Sequence, residues 1–217
     1  MPAPIVKGFA YRVRWAEKDD VESIRKVMNE GAAGLGGPVH TSAILGYISP
    51  SRMCLVLEGA KGIVGALTAR FPTKGVCYNT LLSLSKSVRG QGLGGALLCA
   101  NIRFLGADRV DGDQPNPMQC HKWFAVYPTY NVEVHKLYDA MKWEKEGTLH
   151  MHTKNKTDLI IRAWYPLEMT PPKFWHEMTK GAPPVEWRGL LRLPKRMESD
   201  MFDNSPVVDQ GKDGELW

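Results

Sequence analysis

A short glycine-rich loop that leads directly into an apolar helix is the most restrictive feature of this sequence. Arg89, Gly92 and Gly94 spell R-x-x-G-x-G, and the residues from Gly95 to Leu105 place apolar side chains at helical spacing. Because glycine has no Cβ, the backbone N–H groups of such a loop can approach a pyrophosphate at the helix N-terminus, where the helix dipole favours negative charge. The pattern predicts a binding site for a nucleotide-bearing cofactor.

The same loop also satisfies the dinucleotide-binding pattern G-x-G-x-x-G, through Gly90, Gly92 and Gly95. That kind of site needs a second parallel strand soon after the helix, with an acidic residue about 20 positions beyond the glycines. Asp108 and Asp111 stand near this distance, but they lie in a stretch rich in turn residues with no strand before it. The sequence therefore disfavours a dinucleotide fold.

Apolar runs on either side of the loop predict a sheet with helices on both faces. A helix is expected from Asp19 to Glu30, with acidic residues in its first turn and apolar residues on one side. Runs separated by turn residues predict five strands after it, of which the first two form an antiparallel hairpin: Met53–Glu58, Ile63–Phe71, Val76–Leu84, Trp123–Tyr127 and Thr157–Tyr165. The expected class is α/β (α+β), with a mixed, mostly antiparallel sheet flanked by helices.

Three segments of the chain resemble the GNAT superfamily of N-acetyltransferases. The loop matches the family pattern R/Q-x-x-G-x-G/A. The segment 131–147 is similar to the family's late helix, N-x-x-A-x-x-L-Y-x-x-x-G-F, with Asn131, Leu137 and Tyr138 in step and Lys142–Trp143 where Gly–Phe is common. The strand Tyr11–Trp15 is similar to the family's first strand. The matched order covers residues 11 to about 165.

The resemblance implies a GNAT-like fold and acetyl-CoA as co-substrate, with the acetyl group passing to an amine by direct attack in a ternary complex. It implies that the backbone of three strand residues pairs with the pantetheine arm and that the loop holds the pyrophosphate. The cofactor-binding residues expected on this basis are Leu82, Ser83, Leu84, Arg89, Gly90, Gln91, Gly92, Leu93, Gly94, Gly95 and Asn131.

Two side chains of the late helix have competing interpretations. Tyr138 stands at the position of the family's general acid, and a phenol can protonate a departing thiolate. Its apolar helical face makes a core tyrosine the alternative. Asn131 is either a pantetheine ligand or the N-cap of the helix. No general base is evident; Glu58, His121 and His135 are candidates, and a chain of water molecules is another.

Composition limits the remaining choices. The 217 residues suffice for one domain, expected at residues 1–167, and no apolar run reaches the length needed to span a bilayer. With no leader pattern at the start, a cytoplasmic protein is expected. The four cysteines are isolated from one another and show no metal-binding spacing, so no metal site is expected.

Residues 168–217 form a different region, rich in proline and tryptophan, which is expected to be a C-terminal extension. It holds seven basic and nine acidic residues, a net charge of −2, so residues 1–167 carry +7. We expect Phe174 to Leu193 to be docked, whether on the domain, on a second subunit of a homodimer or on another partner. The composition of Glu198 to Gly214 is typical of disorder.

Two other functions fit the sequence. A GNAT-fold binding or regulatory protein could act through the C-terminal extension. The basic charge of residues 1–167 is also compatible with an acetyltransferase-fold protein that modifies nucleic acid. The acceptor, whether a small molecule, a protein or a nucleic acid, is not encoded in any recognisable pattern.

Overall fold

The predicted hairpin is present at the centre of the sheet. The computed structural model describes residues 7–30, 38–49, 52–110, 114–150, 156–165 and 181–187. Strand β2 (Arg52–Gly59) pairs antiparallel with β3 (Gly62–Thr73), and β4 (Val76–Leu84) pairs antiparallel with β3 on its other side. At the turn Gly62 has a φ of 108°, a conformation that favours glycine.

Within the described residues, eight strands form one sheet in the order β10-β1-β2-β3-β4-β7-β9-β8. The pairs β1–β10 and β4–β7 are parallel and the others antiparallel, so the predicted fold class is confirmed. The further members are β1 (Tyr11–Trp15), β7 (Lys122–Pro128), β8 (Glu144–Leu149), β9 (Leu159–Trp164) and β10 (Val185–Glu186). The short strands β5 (Arg109–Val110) and β6 (Gln114–Pro115) pair separately.

Helices cover both faces of the sheet, and alternate residues of β2 pack against different helices. Its residues Met53, Leu55 and Leu57 belong to the apolar core shared with α3 (Leu93–Gly106), whereas Cys54 and Val56 belong to a second core with α1 (Val21–Glu30) and α2 (Thr41–Tyr47). Alternate residues of a strand point to opposite faces, so a strand covered on both sides reads as a continuous apolar run. The fourth helix, α4, spans Val132–Ala140.

Several elements differ from the sequence prediction. The helix expected from residue 19 begins as a 3-10 turn (Lys18–Asp20) and becomes α-helical at Val21. Helix α2 and strands β5, β6, β8 and β10 were not predicted. The glycine stretch at 31–37 and the segments 166–180 and 188–217 lie outside the described residues, so most of the expected C-terminal extension is not described. No helix among the described residues is long and apolar enough to cross a membrane.

At the end of α4, a lysine stands at the position where a glycine usually ends a helix. The helix ends at Ala140, and Lys142 then takes a φ of 58°, the left-handed conformation that usually stops a helix at glycine. The N–H groups of Lys142 and Trp143 still bond back to Asp139 O and Tyr138 O, at 3.0 and 2.9 Å. The expected helix stop is therefore made without its usual residue, at the cost of backbone strain.

Replacing Lys142 with glycine should raise the free energy of unfolding by about 0.5–1 kcal/mol, because glycine adopts positive φ without a Cβ penalty. Lys136→Gly is the matched control: the same substitution within α4 should lower stability by about 1 kcal/mol. Urea denaturation of both variants measures the two changes. A loss of stability in Lys142→Gly would mean that position 142 is not strained.

Candidate functional site

The site forms where two parallel strands stop pairing. The ladder between β4 and β7 joins residues 76–79 to residues 122–125 and ends at the pair Asn79 and Ala125. Both strands continue, β4 to Leu84 along β3 and β7 to Pro128 along β9. The second half of β4 therefore has one edge open toward β7, with its backbone groups available to a ligand.

A cleft of about 560 Å³ fills this opening. Its walls come from the end of β4, the loop before α3, the first turn of α3, the end of β7 and the inner side of α4. Of the residues predicted to bind a cofactor or to act as the acid, the structure places all but Gln91 along this cleft: Leu82, Ser83, Leu84, Arg89, Gly90, Gly92, Leu93, Gly94, Gly95, Asn131 and Tyr138. Their roles remain predictions.

The glycine loop has the geometry of an anion-binding helix start. Gly90 and Gly92 have φ values of 76° and 74°, and Gly92 is the N-cap residue of α3. Ala96 N–H bonds back to Gly92 O at 3.1 Å, while the N–H groups of residues 93–95 belong to the first turn, which has no acceptor within the helix. These N–H groups and the helix dipole favour a negatively charged group in the cleft.

Gly94 keeps the cleft open between β4 and α4. A Cβ at this position would lie 3.6 Å from Leu137 Cδ2 and 3.8 Å from Leu84 Cδ1, both on the cleft wall. These are ordinary contact distances, so an alanine fits without a clash but occupies space that a ligand could use. A Gly94→Ala substitution should therefore narrow the cleft without disturbing the fold, so it tests ligand binding separately from folding.

Two of the predicted residues use their side chains to hold the site together. Arg89 donates from Nε to Leu84 O at 2.9 Å and from Nη2 to Glu30 O at 3.2 Å, which joins the end of β4 to the end of α1. Ser83 Oγ donates to Val27 O at 3.0 Å. Gln91, which does not line the cleft, lies with Nε2 3.5 Å from Ser87 O. The Ser83 hydroxyl has used its only donor in the bond to Val27, so its side chain can offer a ligand only an acceptor.

Asn131 serves as the N-cap of α4. Its Oδ1 accepts a hydrogen bond from Val134 N–H at 3.3 Å, which satisfies one of the free donors at the start of that helix. The side chain also lines the cleft. The two interpretations offered by the sequence are therefore compatible, because the cap uses the carbonyl oxygen and leaves the amide nitrogen.

Tyr138 lies in an aromatic group at the inner wall. Its side chain is 4% exposed, and its ring contacts those of Tyr127 and Trp143, at centroid distances of 5.3 and 4.6 Å. Burial raises the pKa of Tyr138 above its ordinary value, with smaller contributions from neighbouring groups that include Tyr127. The phenol is therefore protonated at neutral pH and has a proton to donate.

Asn79 was missed by the sequence analysis. It is 4% exposed, lines the cleft at the last β4–β7 pair, and its Nδ2 has no hydrogen-bond partner among the described residues. Its Oδ1 accepts from Cys77 Sγ at 3.5 Å. A polar residue within an apolar strand was the available signal, since a buried amide in such a run needs a partner.

None of the three candidate bases lines the cleft. Glu58 accepts from Arg12 Nη2 at 2.5 Å and from Arg14 Nε at 3.2 Å; burial opposes ionisation there, but these bonds outweigh it and lower the pKa of the carboxyl group. His121 lies against Gly75, and His135 Nε2 is 2.9 Å from Thr129 O. Among the described lining residues, Glu133 is the only carboxylate.

The four cysteines are free thiols inside the core. Burial raises the pKa of Cys99 and of Cys120 to about 12, and that of Cys77 well above its usual value. No cluster of potential metal ligands occurs in the described part of the chain.

Solved structures share this fold. Neither a protein-family model nor a curated protein sequence matches the chain. Ard1 from Thermoplasma volcanium is 17% identical, with a TM-score of 0.61 over 73% of this chain and 99% of that one. A GNAT-family acetyltransferase from Bacillus cereus ATCC 10987 is 19% identical, with a TM-score of 0.56 over 71% and 96%. The yncA protein of Salmonella typhimurium, solved with its cofactor acetyl-CoA, is 17% identical, with a TM-score of 0.59 over 74% and 96%.

The chain therefore has the GNAT acetyltransferase fold. At these identities the likeness shows the fold alone, and it extends over nearly the full length of each of the three proteins. The expectation drawn from the loop and the late helix is confirmed at the level of the fold.

Proposed function

We propose that the protein is an acetyl-CoA-dependent N-acetyltransferase that moves an acetyl group to an amine by direct attack in a ternary complex. The observation that carries the proposal is the cleft between β4 and β7, into which the first turn of α3 opens and which Tyr138 lines. The acetyl-CoA found with the similarly folded yncA protein supports the choice of donor.

The cleft residues fit such a donor. The N–H groups at the start of α3 suit a pyrophosphate, and Gly92 and Gly94 let the backbone come close to it. The open edge of β4, at residues 80–84, offers backbone donors and acceptors to a pantetheine arm, which carries amides of its own. Asn131 would add its amide nitrogen from the opposite wall. Bound there, acetyl-CoA supplies a thioester that an amine can attack.

Tyr138 is the residue that we assign to the leaving thiolate. A thiol has an ordinary pKa of about 8.5, and burial raises the pKa of Tyr138 above its own ordinary value of about 10. Complete proton transfer from the phenol to a thiolate is therefore uphill, so the hydroxyl stabilises the leaving group mainly as a hydrogen-bond donor. The attacking amine must arrive neutral, because a protonated amine has no lone pair.

Binding of acetyl-CoA tests the donor assignment. Calorimetry should show that the protein binds acetyl-CoA in preference to NAD, and Gly94→Ala should weaken this binding about tenfold or more by narrowing the cleft. Gly106→Ala is the matched control at the other end of α3, where a Cβ would meet Trp123 Cη2, at 3.6 Å, and no other described residue. Its affinity should equal that of the wild type. Tight binding of NAD without acetyl-CoA would refute the assignment.

Turnover tests the chemical step. With an amine that the protein accepts, Tyr138→Phe should lower kcat by about 10- to 1,000-fold, with little change in acetyl-CoA affinity. Tyr78→Phe is the control, because it removes a buried hydroxyl from a tyrosine outside the cleft lining. An unchanged kcat in Tyr138→Phe, where chemistry limits the rate, would leave Tyr138 as a core residue. Acetyl-CoA binding without thiol release across a panel of amines would favour the binding-protein alternative.

A further inference from the structure

The short described part of the C-terminal region, residues 181–187, is attached to the edge of the sheet. We call this segment the strap. Its strand β10 pairs in parallel with β1, with Tyr11 opposite Val185 and Arg12 opposite Glu186. Pro184 O accepts hydrogen bonds from Ala10 N–H at 3.0 Å and from Tyr11 N–H at 3.3 Å. The strap is therefore held by backbone bonds on one side.

The two ends of the strap contact the two ends of α3. Trp187 packs against the core that α3 shares with the sheet, and the guanidinium of Arg103 lies 5.3 Å from the centre of its ring. At the other end, a Cβ built on Gly92 would lie 3.2 Å from Ala182 Cβ and 3.5 Å from Ala182 Cα. The strap thus lies directly against the residue at which α3 begins.

The spacing of these contacts matches a strap that runs along the helix. Gly92 and Arg103 are separated by three turns of α3, a rise of about 16 Å. Ala182 and Trp187 are five residues apart, and a stretch of that length can reach about 16 Å as well. Both contacts therefore fit a strap that follows α3 from its first residue to its last turn.

We propose that the strap is the outer wall of the pyrophosphate loop and that its docking is coupled to the binding of acetyl-CoA. The inference rests on the proposed function, because it takes the loop to be the cofactor site. Ala182 supports Gly92, which lines the cleft at a φ of 74°. Without the strap the loop can take other conformations, and the apparent affinity falls with the fraction of molecules whose loop is in the binding conformation.

A charge placed on the strap tests its position. Ala182→Glu should bind acetyl-CoA about tenfold more weakly than the size-matched Ala182→Gln, because a carboxylate beside the loop repels the cofactor phosphates. Ala182 is only partly buried, so both variants are expected to fold. The difference should shrink in high salt. Equal affinities of the two variants at low salt would show that the strap is not part of the cofactor site.

Loosening the strap tests the coupling. Trp187→Ala should lower the acetyl-CoA affinity about tenfold, and the milder Arg103→Ala about two- to fivefold. Arg70→Ala is the matched control for Arg103→Ala. The Arg70 guanidinium also lies over an aromatic ring, that of Tyr78 at 4.9 Å, but neither residue lines the cleft. The Arg70→Ala variant should therefore bind acetyl-CoA as tightly as the wild type does. Calorimetry on the full chain measures all three variants.

Coupling must also act in the reverse direction. Saturating acetyl-CoA should slow hydrogen exchange at the Ala10 and Tyr11 amides, which bond to the strap, by at least the factor that Trp187→Ala costs in affinity. Unchanged exchange, together with wild-type affinity in both Trp187→Ala and Arg103→Ala, would overturn the proposal. A wild-type protein that fails to bind acetyl-CoA would instead refute the proposed function and the coupling with it.

Discussion

The end of the β4–β7 ladder, at Asn79 and Ala125, is the constraint on which the site depends. Two strands can separate at little cost in free energy only when each is hydrogen-bonded to another strand on its other side. Here β4 pairs with β3, and β7 pairs with β9. The backbone groups freed by the separation line a cleft rather than the core, where unpaired groups would be costly. Every other part of the site is arranged around this opening: α3 starts at its mouth and α4 forms its wall.

The parts of the structure that the sequence predicted are those determined by local patterns. The alternating or continuous apolar runs of β2, β3 and β4, and the glycine loop before α3, specify their own conformations within a few residues. The fold class and the placement of the loop at the cleft could therefore be inferred from spacing and from the family resemblance. The predicted boundaries lie within two residues of the observed ones; α3, for example, begins at Leu93 rather than at Gly95.

The parts that could not be predicted depend on contacts between distant residues. Strand β8 contains charged residues at Glu144, Lys145 and Glu146 and is a strand because it completes the edge beside β9. The strap lies far from β1 in sequence, so no local signal joins Tyr11 to Val185. The Nδ2 of Asn79, which has no partner among the described residues, likewise depends on where the sheet opens, which no residue pattern records.

The buried cysteines have a practical consequence for measuring this protein. A thiol reacts with disulfide reagents as its thiolate, and with a pKa of about 12 only about one Cys99 or Cys120 side chain in ten thousand is ionised at pH 8. Cys54 and Cys77 are fully enclosed as well. A colorimetric thiol reagent added to the folded protein should therefore react with the thiol released by catalysis and hardly at all with these four cysteines. In the absence of substrate, a signal that increases with time would show that the cysteines become exposed as the protein unfolds.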